Sequence, residues 1–340
     1  METTPCTRFG ITLAGALALI GASAKADTFG GGAFPFTINF VNIGNLGNGN
    51  DVNNPVEANT PGDGGTPFGG VAYGYRMGVT EISENMIALA TYHGLDGVTA
   101  GPWTGNQPAR DMTWFEAAAF VNWLNISTGH HVAYDVVRNP FIRGGFSFNI
   151  WSDSEAWDND PGPSDELNRF RHKNAYYFLP SEDEWYKAAY HKNDGPTANY
   201  WDYATGSNTA PTPTRSGTGA AMAVYGLGFS FSDQAADVNL AGGLSPYGTR
   251  GQNGNESEWM ESAYDEVNDT PIEFRVVRGG DLHTDEFALR SANRGGASPY
   301  LLVSAFRVAS VAVVPEPSTA LLLLGSGWMW MLKRRCRSGL

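Results

Sequence analysis

The chain has 340 residues and a formal net charge of −13; 42% of its residues are hydrophobic and only 17% are charged. That is enough apolar material for one large domain or two ordinary ones, and 42 Gly beside 10 Trp describe a loop-rich, aromatic-packed body rather than a helical bundle, a coiled coil or a disordered chain. The acidic balance argues against electrostatic binding to nucleic acid or to anionic lipid.

Residues 1–26 read as a secretory signal. Arg8 gives a weak positive start offset by Glu2, residues 9–20 are apolar, and Ala24-Lys25-Ala26 is a small-x-small site with cleavage after Ala26. Residues 27–35 read as a linker. Apolar and polar residues then alternate over 36–43, which predicts a first strand. A long loop rich in Gly, Pro and Asn follows over 45–70. Residues 71–83 read as a hairpin or paired strands leading into a helix over 85–93, with Ser83 as its cap.

The next helix, 113–125, is clearer. Thr113 and Glu116 have capping-box spacing, and Trp114, Ala117, Ala118, Val121 and Leu124 share one face. A polar insertion over 138–170 carries Trp151 and Trp157. Ser181 and Glu184 repeat the capping box inside 177–190, where Trp185, Ala188 and Ala189 supply a buried face. Helix signals stop there. Residues 194–255 are loop-like, and short strands are expected over 258–263, 273–280 and 305–311. Early helices and late short strands around long loops indicate one irregular α+β domain, 36–312.

The tail, 313–340, has its own pattern. Val314-Pro315-Glu316-Pro317-Ser318 precedes a short apolar stretch, 319–332, and then Lys333, Arg334, Arg335 and Arg337. The order Pro-Glu-Pro, apolar segment, basic end resembles the PEP-CTERM sorting signal of Gram-negative bacteria. The resemblance implies export, a transient inner-membrane anchor through the C-terminal segment, processing by an exosortase-type enzyme, and a final place at the cell surface or outside the cell. Two cysteines exist, Cys6 in the signal and Cys336 in the tail. The exported body therefore has no disulfide, thiol nucleophile or thiolate-held metal.

Several body segments stand in one order: YRMGVTEIS (75–83), PARDMTWFEAAAFVNWLN (108–125), FLPSEDEWYKAAY (178–190), SPYGTRGQNGNESEWMES (245–262), VVRGGDLHTDEFALRSANR (276–294) and SAFRVAS (304–310). Together they resemble the formylglycine-generating enzyme, or sulfatase-modifying factor, family. The resemblance implies an irregular, loop-rich variant of the C-type lectin fold. It also implies a serine and two copper-binding cysteines after Arg-Gly-Gly, where this chain has Asp281, Thr284 and Leu289. Copper is therefore not expected, nor is formylglycine-generating oxidase activity. The first Trp of the family's Trp-Glu-Trp motif is Ser257 here, whereas Glu258 and Trp259 remain.

The same resemblance implies a calcium site at Asn253, Gly254, Glu256 and Glu258, a hard-oxygen set on a tight loop. The competing expectation pairs Glu258 with an arginine such as Arg278 or Arg290. Asp281, His283, Asp285 and Arg290 form a second candidate group in the loop where lectin-type folds hold ligands. His130 and His131 read as solvated turn residues. Arg278, Arg290, Arg294 and Arg307 read as ties between loops. Trp114, Trp123, Trp185 and Trp259 read as core. Two functions stay open: a non-catalytic exported protein that binds a glycan or peptide, or an enzyme with different, metal-dependent chemistry at Asp281, His283, Asp285 and Glu286. Fold alone does not choose between them.

Overall fold

The chain enters its sheet earlier than the sequence pattern indicates. Strand β1 (Lys25–Phe29) takes the last two residues read as signal and the first three read as a linker, and pairs antiparallel with β2 (Phe36–Ile43), from Lys25 opposite Phe40 to Phe29 opposite Phe36. Phe29 is its one buried residue, so its apolar pattern is too short to read alone. The computed structural model describes residues 25–53, 66–99, 101–139, 145–158, 167–229 and 234–312. Most of the signal and the whole sorting tail lie outside the described residues. No described helix is long and apolar enough to cross a membrane.

Strand β3 (Tyr75–Gly78) pairs with β2 rather than folding into a local hairpin. Helix α1 (Glu84–Tyr92) starts where the Ser83 side chain accepts from the Met86 N–H. In α2 (Trp114–Ser127) both halves of the capping box form: Thr113 accepts from Glu116 N–H, and the Glu116 carboxylate accepts from Thr113 N–H. Such a cap is worth about 1 kcal/mol. The helix is apolar almost all round, so Trp114, Phe115, Ala118 and Leu124 are all buried. The expected polar insertion is partly strand: β4 (Asp135–Arg138) pairs with β5 (Phe146–Asn149), and β6 (Ala156–Trp157) with β7 (Asn168–His172).

Strand β8 (Tyr177–Phe178) leads into α3 (Glu182–Tyr190), whose capping box is Ser181 with Glu184. All nine residues of α3 are buried. A two-residue parallel pair, β9 (Thr212–Pro213) with β10 (Met222–Ala223), crosses the long loop region. Strands β11 (Glu258–Ala263), β12 (Arg275–Arg278) and β13 (Gly295–Ala297) make a three-stranded antiparallel sheet. The final strand, β14 (Ala309–Val311), inserts between β3 and β8, which gives the main sheet the order β1-β2-β3-β14-β8.

Trp114, Trp185 and Trp259 are fully buried, as expected. Trp123 is only partly buried and stacks on Phe36 with ring centroids 5.9 Å apart. Arginine forks bind the irregular segments together. Arg278 and Arg294 share the carboxylate of Glu182, at 2.6 and 2.7 Å, and Arg307 holds Glu258 at 2.5 Å while donating to the Gly78 and Arg250 carbonyls. A planar fork that satisfies a carboxylate and carbonyls together suits loops that cannot form ladders of their own.

Candidate functional site

The loop after β12 begins with two glycines in the left-handed region, Gly279 at φ 99° and Gly280 at φ 68°. Asp281 Oδ1 then accepts the N–H groups of His283 and Thr284, at 2.8 and 3.0 Å. The Thr284 hydroxyl accepts from Asp281 N–H and donates to Asp281 O, both at 2.9 Å. Asp285 Oδ1 closes a second turn on Phe287 N–H at 3.2 Å. His283 Nδ1 bonds Gly228 O at 2.7 Å. The acids of this loop are therefore used to shape it. Arg290 adds positive charge beside the Tyr203 hydroxyl. No three described His, Cys, Asp or Glu residues are arranged to hold a metal, so Asp281, His283, Asp285 and Glu286 do not converge as the metal-dependent alternative requires.

Thr284 and Leu289 do come together. A Cβ placed on Gly280 would touch both Thr284 Oγ1 and Leu289 Cδ1. Leu289 is wholly buried in a cluster with Tyr203, Ala223 and Tyr225. Its carbonyl accepts from Tyr190 Oη at 3.2 Å and from Asn253 Nδ2 at 2.9 Å. A hydroxyl already engaged by the backbone and a packed aliphatic side chain thus face each other over Gly280.

Of the four residues named for calcium, Glu258, Asn253 and Gly254 are engaged within the fold. Glu258 has both carboxylate oxygens on Arg307, and Oε2 also accepts from Trp185 Nε1 at 2.8 Å. Glu258 thus pairs with an arginine, and the partner is Arg307, not Arg278 or Arg290. Asn253 Oδ1 accepts from Thr205 N–H. Gly254 is set by packing: its φ is +78°, and a Cβ there would collide with the Val224 carbonyl.

Glu256 is the exception among the four. It is 1% exposed, and among the described residues its Oε1 has no hydrogen-bond partner. Arg110 Nε lies 3.7 Å away but is closer to Asp111 Oδ1, at 3.2 Å. Burial pushes the Glu256 carboxyl well above the usual carboxylate range; Arg110 opposes this, while Asp281, Glu81 and Asp111 add to it. The charged form of Glu256 is thus disfavoured, and one carboxyl oxygen is left without a partner among the described residues. Arg110 also lies over the Trp103 ring, 5.0 Å from its centroid. Trp103 packs with Val224 and Leu282, which fixes one wall of the site.

A neighbouring loop is apolar and open. Pro299 O accepts from Trp114 N–H, and Ser304 Oγ and Ser257 Oγ are 2.9 Å apart, so the 298–304 loop lies against Met112 and Ser257. Between these anchors Tyr300, Leu301, Leu302 and Val303 are each more than 40% exposed. The face assembled from Trp103, Arg110, Glu256, Asp281 and this strip is the candidate site. Sequence reasoning picked out Glu256 and Asp281 but missed Arg110 and the strip. The signal for the latter was four consecutive large apolar residues in a loop.

The remaining surface candidates fall elsewhere. His130 stacks on Tyr176 at 4.2 Å and His131 on His172 at 3.6 Å, with Trp151 edge-on to both His131 and His172. Both histidines are exposed after the helix-exit turn, as expected, and are ring-stacked as well. Burial, and next the neighbouring His131, lower the His172 pKa.

This combination defines a loop-rich α+β protein of C-type-lectin-like build, with its open face formed by late loops held on arginine forks. The chain belongs to the sulfatase-modifying factor enzyme 1-like domain family, whose model matches residues 89–310. Treponema denticola variable protein 1 is similar in fold, with 19% identity and a TM-score of 0.53 over 84% of this chain and 99% of that one. CarF (17% identity, TM-score 0.47, 81% and 99% covered) and PvdO from Pseudomonas aeruginosa (16%, 0.44, 85% and 92%) are also similar. No curated protein sequence matches the chain.

Proposed function

We propose that the chain is an exported, non-catalytic binding protein on a sulfatase-modifying-factor scaffold, and that its ligand is a peptide segment. The observation that carries this reading is the pair over Gly280. Thr284 and Leu289 stand where the resemblance places copper-binding cysteines, and neither a hydroxyl nor an isobutyl group replaces a thiolate. The open face supports a peptide over a glycan. Its strip of Tyr300, Leu301, Leu302 and Val303 offers apolar area, while the partly exposed Arg110 and Asp281 offer polar groups for a backbone.

The export reading rests on the two chain ends. It places the mature protein at the cell surface or beyond, after an exosortase-type enzyme has acted on the tail. Removal of both ends removes Cys6 and Cys336, so secreted material is expected to show no titratable thiol when denatured.

The binding test uses the secreted protein on parallel peptide and glycan arrays. Peptide binding that falls at least tenfold in Arg110→Ala or Leu302→Asp supports the reading. Glycan binding unaffected by both changes refutes the peptide assignment. The catalytic half is tested by incubating the copper-loaded protein with a Cys-x-Pro-x-Arg peptide. Aldehyde formation above a metal-only control would refute the non-catalytic assignment.

A further inference from the structure

The tripeptide His-Lys-Asn occurs twice, at 172–174 and at 191–193. The first copy begins on the last residue of β7, and the second begins on the residue that ends α3. Both fold the same way. Asn174 N–H donates to His172 Nδ1, and Asn193 N–H donates to His191 Nδ1, each at 3.1 Å. Histidine Nδ1 stands as many bonds from the backbone as asparagine Oδ1, so each ring closes the turn that an asparagine side chain makes two residues on. A backbone N–H can only donate. Nδ1 therefore carries no proton in either ring, and each imidazole is neutral with its proton on Nε2. The other nitrogen of His191 agrees: Nε2 lies 3.1 Å from Thr197 O, which can only accept.

Both rings are buried, His172 at 5% exposure and His191 at 0%. His172 lies face to face with His131, 3.6 Å between centroids and 11° between planes, and Trp151 stands edge-on to it. The titratable groups that face it are His131 from the turn after α2, Glu155 from the turn before β6, and Lys173 beside it. At His191, Tyr247 Oη lies 2.9 Å from the unprotonated Nδ1 and donates to it, while Asn45 Nδ2 donates to that phenol oxygen. Tyr200 is edge-on to the ring at 5.1 Å. Its charged neighbours are Lys187 of α3 and Asp194 of the next loop. Burial lowers both imidazoles from the ordinary value of 6.5; His131 and Lys173 add to this at His172, and Lys187 adds to it at His191. Glu155 opposes it at the first ring, and the Thr197 carbonyl and Asp194 oppose it at the second.

We propose that the two His-Lys-Asn turns are acid-sensitive fasteners: a proton on Nδ1 of His172 or His191 removes the acceptor that closes the turn, and the chain over 173–176 or 193–200 lets go while the body stays folded. The proton and the Asn N–H compete for one lone pair, so the closed turn and the imidazolium exclude each other. At His172 the proton also sets a cation against the face of His131. At His191 it leaves the Tyr247 hydroxyl without its acceptor and adds charge beside Lys187. Neither turn bond belongs to a helix or a sheet ladder, which is why the opening is local. The sign follows from the lowered values. Below about 6.5 the unfolded chain takes up protons that the closed turns refuse, so the fasteners weaken as pH falls. The device does not depend on the export or peptide-binding readings above.

Hydrogen exchange read by mass spectrometry on the full chain, in detergent, tests it at about pH 7 and about pH 4.5, with intrinsic rates divided out. Protection over 172–176 and over 191–200 is expected to fall about tenfold or more at the lower pH, while α2 keeps its protection within about twofold. His172→Asn and His191→Asn each place an amide oxygen where Nδ1 stood. Each is expected to hold its own turn closed at the lower pH and to leave the other turn acid-sensitive. Slow exchange of the imidazole C2–H in the unaltered chain gives the midpoint of each ring, and it keeps the proposal testable if His191→Asn does not fold. Both midpoints are expected below 6.5. Equal protection of the two turns at both pH values would overturn the proposal. So would a loss that His172→Asn does not prevent, or a midpoint at or above 6.5 for either ring. Loss of protection shared by α2 would overturn it as well, because that is acid unfolding of the whole body.

Discussion

Arg171 and Glu184 form a doubly hydrogen-bonded ion pair, with Nη1 to Oε1 at 3.0 Å and Nη2 to Oε2 at 2.7 Å, and both side chains are out of contact with water. Glu184 also accepts from Ser181 N–H at 2.7 Å, so the same carboxylate caps α3. Arg171 reaches Glu261 on its other side, at 2.9 Å. One guanidinium thus connects β7, α3 and β11. Removing one partner of a buried pair leaves an uncompensated charge and costs about 3–5 kcal/mol. Arg171→Met is expected to lower the unfolding free energy by that amount in urea titrations. A loss below about 1 kcal/mol would show that the three elements hold together without the pair.

Glu81 supplies a pH dependence. Its carboxyl is pushed up to about 8, first by burial and then by the negative charge of Glu258. The folded state therefore keeps a proton that the unfolded chain releases near the ordinary value of 4.5. Between those values the folded state binds more protons, so stability falls as pH rises from about 4.5 to about 8. Glu81→Gln removes that fall while the amide oxygen still accepts from Asn255 Nδ2. The variant is expected to match the parent near pH 4.5 and to exceed it by roughly 2–4 kcal/mol above pH 8. Parallel stability curves across this range would contradict the assignment.

Lys187 gives the opposite sign. Burial lowers its pKa to about 8 from 10.5, and its Nζ donates to Asn45 O at 3.1 Å. Below pH 8 the ammonium is charged in both states, and the folded state bears the desolvation cost. Between about 8 and 10.5 only the unfolded chain stays charged, so stability rises with pH there. Lys187→Met is expected to gain about 1–2 kcal/mol at pH 7, offset in part by the lost hydrogen bond. The gain should shrink toward pH 10. Thermal melts of both proteins at the two pH values check this.

Gly254 tests the loop geometry directly. Its φ of +78° and the close approach of the Val224 carbonyl leave no room for a side chain. Gly254→Ala is expected to destabilise by about 2–4 kcal/mol, combining backbone strain with steric displacement. Calcium should not rescue it, because Glu258 is committed to Arg307. A calcium-dependent rise in melting temperature, in the parent or the variant, would restore the metal reading of this loop.

What could be read from the sequence was local. Thr113 with Glu116 and Ser181 with Glu184 announce their helices within four residues, and both boxes form. The strands at 36–43 and 258–263 carry their own patterns. Strand β13 does not, because two of its three residues are Gly. Strand β1 was hidden for a related reason: four of its five residues remain at least partly exposed, so no apolar rhythm marks it. At the candidate site, the reading found Glu256 but not its state. Its pKa is raised first by burial, with Asp281 and Glu81 adding to the rise and Arg110 opposing it, and the local sequence shows none of this. The arginine that takes Glu258 is 49 residues away, and nothing in the spacing distinguishes Arg307 from Arg278 or Arg290.

The position of β14 bears on how the molecule is made. The last three residues of its final strand sit in the interior of the main sheet, between β3 and β8. A chain released from its N-terminus has β1, β2 and β3 available early, yet β3 keeps an open edge until residue 311 arrives. Such an edge is a template for pairing with other chains. The body cannot close over itself by instalments. Nearly all of it must clear the ribosome, and any channel it passes through, before the sheet becomes complete. A stop codon placed just before residue 309 would leave a strand-hungry surface rather than a slightly shorter protein.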